Sequence, residues 1–181
     1  FDSPVTQNEM GYAHVQDLKL KCEVIRIRGR YAEMQVFEDT TGLRIGDQVE
    51  FTGDLLTVEL GPGLLTQIYD GLQNPLPELA AQGGFFLNRG MYLGALDTKR
   101  TWKFTPAAKP GATVVAGDQL GSVPEGIFEH RIMVPFRFAG RYTVQEVAPA
   151  GDYTIEQVVA KLKDEQGAVH EVRMTQRWPI K

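Results

Sequence analysis

The residues able to do chemistry in this 181-residue chain are few: three histidines, one cysteine and a proline bracketed by glycines. His14, His130 and His170 are widely spaced and have no cysteine companions, so no zinc site is expected. His14 carries no partner signal and reads as a strand or surface histidine. His130 lies beside Glu129, a pairing that could support acid–base chemistry. Neighbours on a strand point to opposite faces, however, so a catalytic His130 is not expected. Gly61-Pro62-Gly63 superficially matches a phosphate-cradling loop, but no lysine follows and Pro62 removes an amide donor. The G-x-x-x-x-G-K-[ST] pattern occurs nowhere. Asp164-Glu165 reads as a solvated turn, and no serine has a nucleophile-elbow context. The residue types therefore predict no catalytic residues, no cofactor-binding residues and no metal ligands.

Composition agrees with a globular protein that has a real core: 43% hydrophobic and 23% charged residues are ordinary values. A net charge of −4 argues against a nucleic-acid partner, whose phosphates need a basic surface. No apolar run approaches the roughly twenty residues that cross a bilayer, so direct membrane insertion is not expected. The opening Phe1-Asp2-Ser3-Pro4 lacks the charged and apolar regions of a signal peptide. A single cysteine makes no internal disulfide and suits a reducing cytoplasm. Flanked by Leu20 and Val24, Cys22 reads as a buried, inert strand residue.

The elements that would position these groups are short strands. Residues 12–57 alternate apolar and polar over Leu18–Ile27 and again over Tyr31–Phe37. Arg28-Gly29-Arg30 marks a hairpin turn between them, and Thr40–Leu43 and Ile45–Gln48 mark further turns. This punctuation predicts a small antiparallel barrel. From Val58 to Leu76 a connector is expected. Pro62 would open a short helix, Leu64, Leu65 and Ile68 would form its apolar stripe, and Gly71 with Asn74-Pro75 would stop it. A second short helix is expected between Pro75 and Gln82, ended by Gly83-Gly84. Phe85-Phe86-Leu87 and Met91-Tyr92-Leu93 read as strand-like around an Asn88-Arg89-Gly90 turn. Trp102 and Phe104 alternate on a further strand and read as core or interface aromatics.

Residues 105–153 have the turn–strand–turn rhythm of biotinyl and lipoyl carrier domains. Pro110–Gly121 is echoed by Met133–Tyr153, which predicts a flattened sandwich of two intertwined halves. A carrier presents an acylatable lysine on its central hairpin; here Ile127 falls at that place, and no lysine lies between Lys109 and Lys161. The carrier fold survives and its chemistry does not. Beyond Thr154, Ile155, Val158, Val159 and Leu162 fit a helix stripe, while Val158, Ala160 and Leu162 fit a strand. The Asp164–Gly167 turn and the alternation of Val169–Met174 favour a hairpin.

Two blocks carry a closer resemblance. Val58–Leu65 with Ile68–Leu76, and Met174–Ile180, resemble the catalytic A (alpha) subunit of the vacuolar/archaeal-type rotary ATPases. Phrases between them match as well: Val36–Gly46, Gly117-Asp118, Val123-Pro124-Glu125, His130–Pro135 and Gly151–Thr154. The resemblance implies a mainly β chain. Residues 1–57 would be the remainder of an N-terminal barrel, 58–82 a connector with short helices, and 83–181 a bulge. The bulge would hold a barrel-sandwich-hybrid core at about 105–153 and a hairpin at about 154–178. With no starting methionine, the chain reads as a piece of a longer subunit that begins after the barrel's first strand.

The resemblance further implies a non-catalytic part of an ATP-driven machine, inactive by itself and without a cofactor of its own, Mg-ATP belonging to the parent. Implied partners are the B subunit in a ring of three A and three B, the peripheral-stalk subunits and, through the parent, the central stalk. The machine would couple ATP to proton or sodium movement at the cytoplasmic face of a membrane. Phe136, Arg137 and Phe138 are the candidate partner contacts, with an internal core strand as the other reading of that segment. A free-standing β-rich adaptor without ATPase activity is the alternative for the whole chain.

Overall fold

The alternating run at the start of the chain forms four antiparallel strands: β1 (Glu9–Val15), β2 (Leu18–Arg28), β3 (Tyr31–Val36) and β4 (Val49–Leu55), in sheet order β3-β2-β1-β4. The computed structural model describes residues 4–84 and 88–180. Two tight hairpins set the register. Val15 faces Leu18 across Gln16-Asp17, and Arg28 faces Tyr31 across Gly29-Arg30. Leu20, Cys22 and Val24 are buried at alternate positions of β2, as Ala13 and Val15 are on β1, the pattern of a strand with a core face; Glu23 between them is buried too, at 1% exposure. Burial raises the Cys22 thiol to about 11, well out of the reactive range. On β4 most residues are exposed, and so is every residue from Asp39 to Glu50.

A buried carboxylate explains how β4 is held. Glu9 is 3% exposed; its Oε1 accepts from the Gly53 amide at 2.8 Å and its Oε2 from the Thr6 amide at 2.8 Å. The β1–β4 ladder slips between Glu9 and Gly11, so Glu9 supplies the acceptor that the interrupted ladder does not.

Residue contacts divide the protein into two compact units: residues 1–58, 68–94 and 178–181 form the first, and residues 59–67 and 95–177 the second. Strands β5 (Thr57–Leu60) and β14 (Gln176–Pro179) pair with each other. The helix expected after Pro62 does not form. Turns occupy that stretch, with Thr66 and Gln73 in the left-handed region at φ 66° and 62°. Asp70 accounts for the second turn. Its Oδ1 accepts from the amides of Leu72 and Asn74 at 2.9 and 2.8 Å, and its Oδ2 from the Asn74 side chain at 2.8 Å. A side chain that satisfies backbone amides locally competes with the helix. The second expected helix is present as α1 (Leu76–Gly83), opened by Pro75 and closed by the Gly84 amide on the Ala80 carbonyl. Phe85-Phe86-Leu87 lies outside the described residues, and Met91-Tyr92-Leu93 forms no strand.

Within the second unit, β6 (Thr101–Pro106), β8 (Gln119–Glu125), β9 (Phe128–Met133) and β11 (Gly151–Thr154) form one sheet, ordered β11-β6-β8-β9. The other, ordered β13-β12-β10-β7, comprises β7 (Thr113–Val114), β10 (Tyr142–Val147), β12 (Ala160–Lys163) and β13 (Val169–Val172). Buried side chains form two clusters. Trp102, Phe104, Val123 and Ile132 lead one; Val144, Leu162 and Val172 lead the other, to which β8 contributes Leu120; Val147 packs against both. Gly121 is required here: a Cβ would run into the Phe104 ring and stand 2.8 Å from the Thr105 carbonyl oxygen. The ambiguous stretch after Thr154 is strand from Ala160, paired with β13 across the Asp164–Gly167 turn.

Candidate functional site

The β8–β9 hairpin carries the most concentrated polar chemistry of the second unit. Glu125 ends β8 on the same face as buried Val123, and His130 stands opposite Val123 on β9. That diagonal brings the His130 Nδ1 to 2.7 Å from Glu125 Oε2. Since an ionised carboxylate only accepts, Nδ1 is the protonated nitrogen. The other carboxylate oxygen accepts from the amides of Gly63 at 2.6 Å and Leu65 at 3.2 Å. Glu125 is 5% exposed, and these donors are what make a carboxylate tolerable there. Both amides lie in what would be a first helical turn, where a helix would also leave them unbonded; Thr66, at φ 66°, is what takes the chain out of helical conformation. Glu129, the sequence neighbour of His130, instead accepts from Ser122 Oγ at 2.6 Å.

These groups do not fit a magnesium nucleotide. The Gly61-Pro62-Gly63 turn already faces a carboxylate, which repels phosphate, and no lysine follows it. Among the described residues no group of three or more His, Cys, Asp and Glu side chains could hold a metal ion. Among the described residues, no helix is long and apolar enough to cross a membrane. Ile127 is 93% exposed at the tip of the β8–β9 hairpin, where a carrier would present its lysine.

The remaining histidines pair with carboxylates. His14 lies on β1 with Nε2 3.2 Å from Glu50 Oε2, and Lys19 Nζ meets the same oxygen at 2.7 Å. The hydrogen bond and charge of Lys19, with the bond from His14, hold Glu50 below the usual carboxylate range. His170 Nε2 is 2.8 Å from Asp164 Oδ2, and its ring lies edge-on to Phe138 and Tyr142 with centroids 5.4 and 5.5 Å away. Hydrogen bonding from His170 holds the Asp164 carboxyl low.

The candidate contact segment separates into different roles. Phe138 is buried in the core with Tyr142, in a turn and not in a core strand. Phe136 is 45% exposed, and its amide donates to Gln176 Oε1 at 3.2 Å. Arg137 is exposed, its guanidinium 5.9 Å from the Phe138 ring centre. Only Phe136 and Arg137 remain on the surface.

A cavity of 330 Å³ in the first unit has polar walls that include Glu38, Asp70, Asn74, Arg89 and Tyr92. Those groups are engaged internally. Arg89 Nη1 donates to the carbonyls of Asp39 and Thr41 at 2.9 and 2.7 Å. The Tyr92 hydroxyl donates to Glu38 and accepts from the Lys21 amide at 2.7 Å. Burial, then the bond to Glu38, raises the Tyr92 phenol. Lys21 lies with Nζ 4.3 Å from the Tyr92 ring centre; burial lowers its ammonium despite the charges of Asp70 and Glu38. This is a tether for the loop after α1. Sequence reading missed it because its acid–phenol pair spans fifty-four positions.

Comparison with known proteins gives the same two-part plan. Residues 3–53 match the family model for the ATP synthase alpha/beta family, beta-barrel domain. Residues 93–181 match the model for the ATP synthase alpha/beta subunit barrel-sandwich domain. Over its full length the chain is 58% identical to the V-type ATP synthase alpha chain of Treponema denticola, 55% to V-type ATP synthase alpha chain 1 of Treponema pallidum, and 52% to the V-type ATP synthase alpha chain of Protochlamydia amoebophila. It spans 31%, 31% and 30% of the lengths of those relatives. With both domains matched in order and relatives aligned from end to end, the chain belongs to the ATP synthase alpha/beta family and carries its beta-barrel and barrel-sandwich domains.

Proposed function

We propose that these 181 residues are a non-catalytic portion of the alpha subunit of a V-type ATP synthase, supplying framework and contact surfaces for a machine that couples ATP to proton or sodium movement. The observation that carries this reading is the 58% identity over the whole chain to a protein of that name. The described residues support it from the other side: Glu125 pairs with His130, and the Gly-Pro-Gly turn faces that carboxylate. Magnesium nucleotide would bind residues of the subunit other than these.

In this reading the open, exposed sheet of the first unit serves assembly with B subunits in a ring. Phe136 and Arg137, on the second unit, meet a peripheral-stalk protein. Central-stalk contact would come through the rest of the subunit, and the complex would lie against the cytoplasmic face of its membrane. A chimera tests this. The 181 residues replace their equivalents in the Treponema denticola subunit, and the complex is reconstituted with its partner subunits. Assembly with magnesium-dependent ATP hydrolysis close to the parental rate is expected. A soluble chimera that never assembles would contradict the reading and favour the free-standing adaptor.

A further inference from the structure

We propose that a cleft in the second unit is an oxyanion-binding site, taking a carboxylate or phosphate group by hydrogen bonds and charge. Its volume is 230 Å³, and its lining includes His130, Arg131, Phe136, Arg173, Thr175 and Gln176. At roughly 30 Å³ per liquid water, that space admits one oxyanion on a short stem.

The donor inventory points to an anion. His130 is spent on Glu125 through Nδ1, so the donors are those of the arginines, Thr175 and Gln176. Gln176 spends its carbonyl oxygen on the Phe136 amide, and its NH2 donors have no partner among the described residues. The Thr175 hydroxyl has none either. Arg131 makes no ion pair among the described residues, and Arg173 reaches Glu171 only at 3.9 Å, both side chains being more than half exposed. No lining residue is acidic. Beneath lie Ile132 and Met174, at 2% and 4% exposure, an apolar floor that lowers the local dielectric and strengthens each charge-assisted bond. Tight packing holds the rim: a Cβ at Gly61 would stand 2.9 Å from Thr175 Cγ2 and 3.0 Å from Leu96 Cδ1. The two sources of such a group are a free phosphate ion and a carboxylate on a docked protein segment. Neither depends on the assembly reading above.

Amide NMR of the full chain tests this, with inorganic phosphate in one titration and glutarate in another at low ionic strength. Saturable shifts are expected at Gly61, Phe136, Thr175 and Gln176. Stronger response to phosphate assigns the free ion, and stronger response to glutarate assigns the protein carboxylate; either supports the site. Arg173→Ala should weaken binding about tenfold, as loss of a charge-assisted bond does. Gln176→Glu keeps an acceptor for the Phe136 amide while placing negative charge in the cleft, so it should abolish binding with the rest of the spectrum unchanged. Shifts that are linear in concentration, scattered over the surface, or unaltered in Gln176→Glu would overturn the proposal.

Discussion

The two units solve the same problem differently. Both are antiparallel sheet, but the second buries two clusters of large apolar side chains, while the first has one open four-stranded sheet. One edge strand there, β4, is mostly exposed, with Leu43, Ile45 and Val49 in or near it at 39%, 108% and 40% exposure. In the second unit, shape comes from apolar packing. In the first, carboxylates on backbone amides position segments: Glu9 on β4, Glu38 on the loop after α1, and Asp70 on its own turn. An exposed edge strand held by such bonds has less apolar area to lose and opens more readily.

The largest expected effect lies in the packed unit. Phe104 is fully buried, and Phe104→Ala should lower the stability of that unit by about 3–5 kcal/mol. Urea unfolding followed through Trp102, with Trp178 replaced by Phe, measures it; a loss below about 1 kcal/mol, under half the usual cost of emptying a core site, would break the contrast. Next comes Glu125→Ala, which strands two amides and His130 and should cost about 2–4 kcal/mol. Glu125→Gln, still able to accept from both amides, should recover most of that. Hydrogen exchange at Gly63 and Leu65 reports the change at the site itself.

Glu9→Ala should cost less, about 1–3 kcal/mol, and it should act locally. Faster exchange is expected at Gly53 and along β4, with the second unit unaffected; uniform loosening would show that the first unit does not open by its edge. The smallest effect is a pH dependence. Because His170 holds the Asp164 carboxyl below its ordinary value of 3.8, the folded state gains from its ionisation at pH above that value. That gain is lost as pH falls through the lowered one. Thermal melts between neutral pH and pH 3 should therefore fall more steeply in the parent than in Asp164→Asn.

Much of this contrast was legible in the sequence, and the exceptions share a cause. Alternation at Trp102 and Phe104, or along Leu20, Cys22 and Val24, is a short-range signal that burial enforces. The Asp164–Gly167 turn is local too, and it settles the stretch after Thr154 as strand. Leu64, Leu65 and Ile68 have helical spacing, yet Thr66 is left-handed and Asp70 makes a turn on its own amides. Met91-Tyr92-Leu93 has strand-forming residues, yet Tyr92 is held by Glu38. Phe138 reads as either a surface contact or a core strand, and its ring is buried with Tyr142 and His170 outside any strand. Periodicity encodes neither a side chain that bonds its own backbone nor a partner far along the chain. The His130–Glu125 pair was hidden for a smaller reason: its partner is the cross-strand diagonal, and sequence adjacency points to Glu129.

The decisive measurement is phosphate release from Mg-ATP by the purified 181-residue chain. None above background is expected at any ATP concentration, with or without phosphate bound in the cleft. Sustained magnesium-dependent turnover, lost in a variant of residues described here, would place a catalytic site within this chain and contradict the non-catalytic reading.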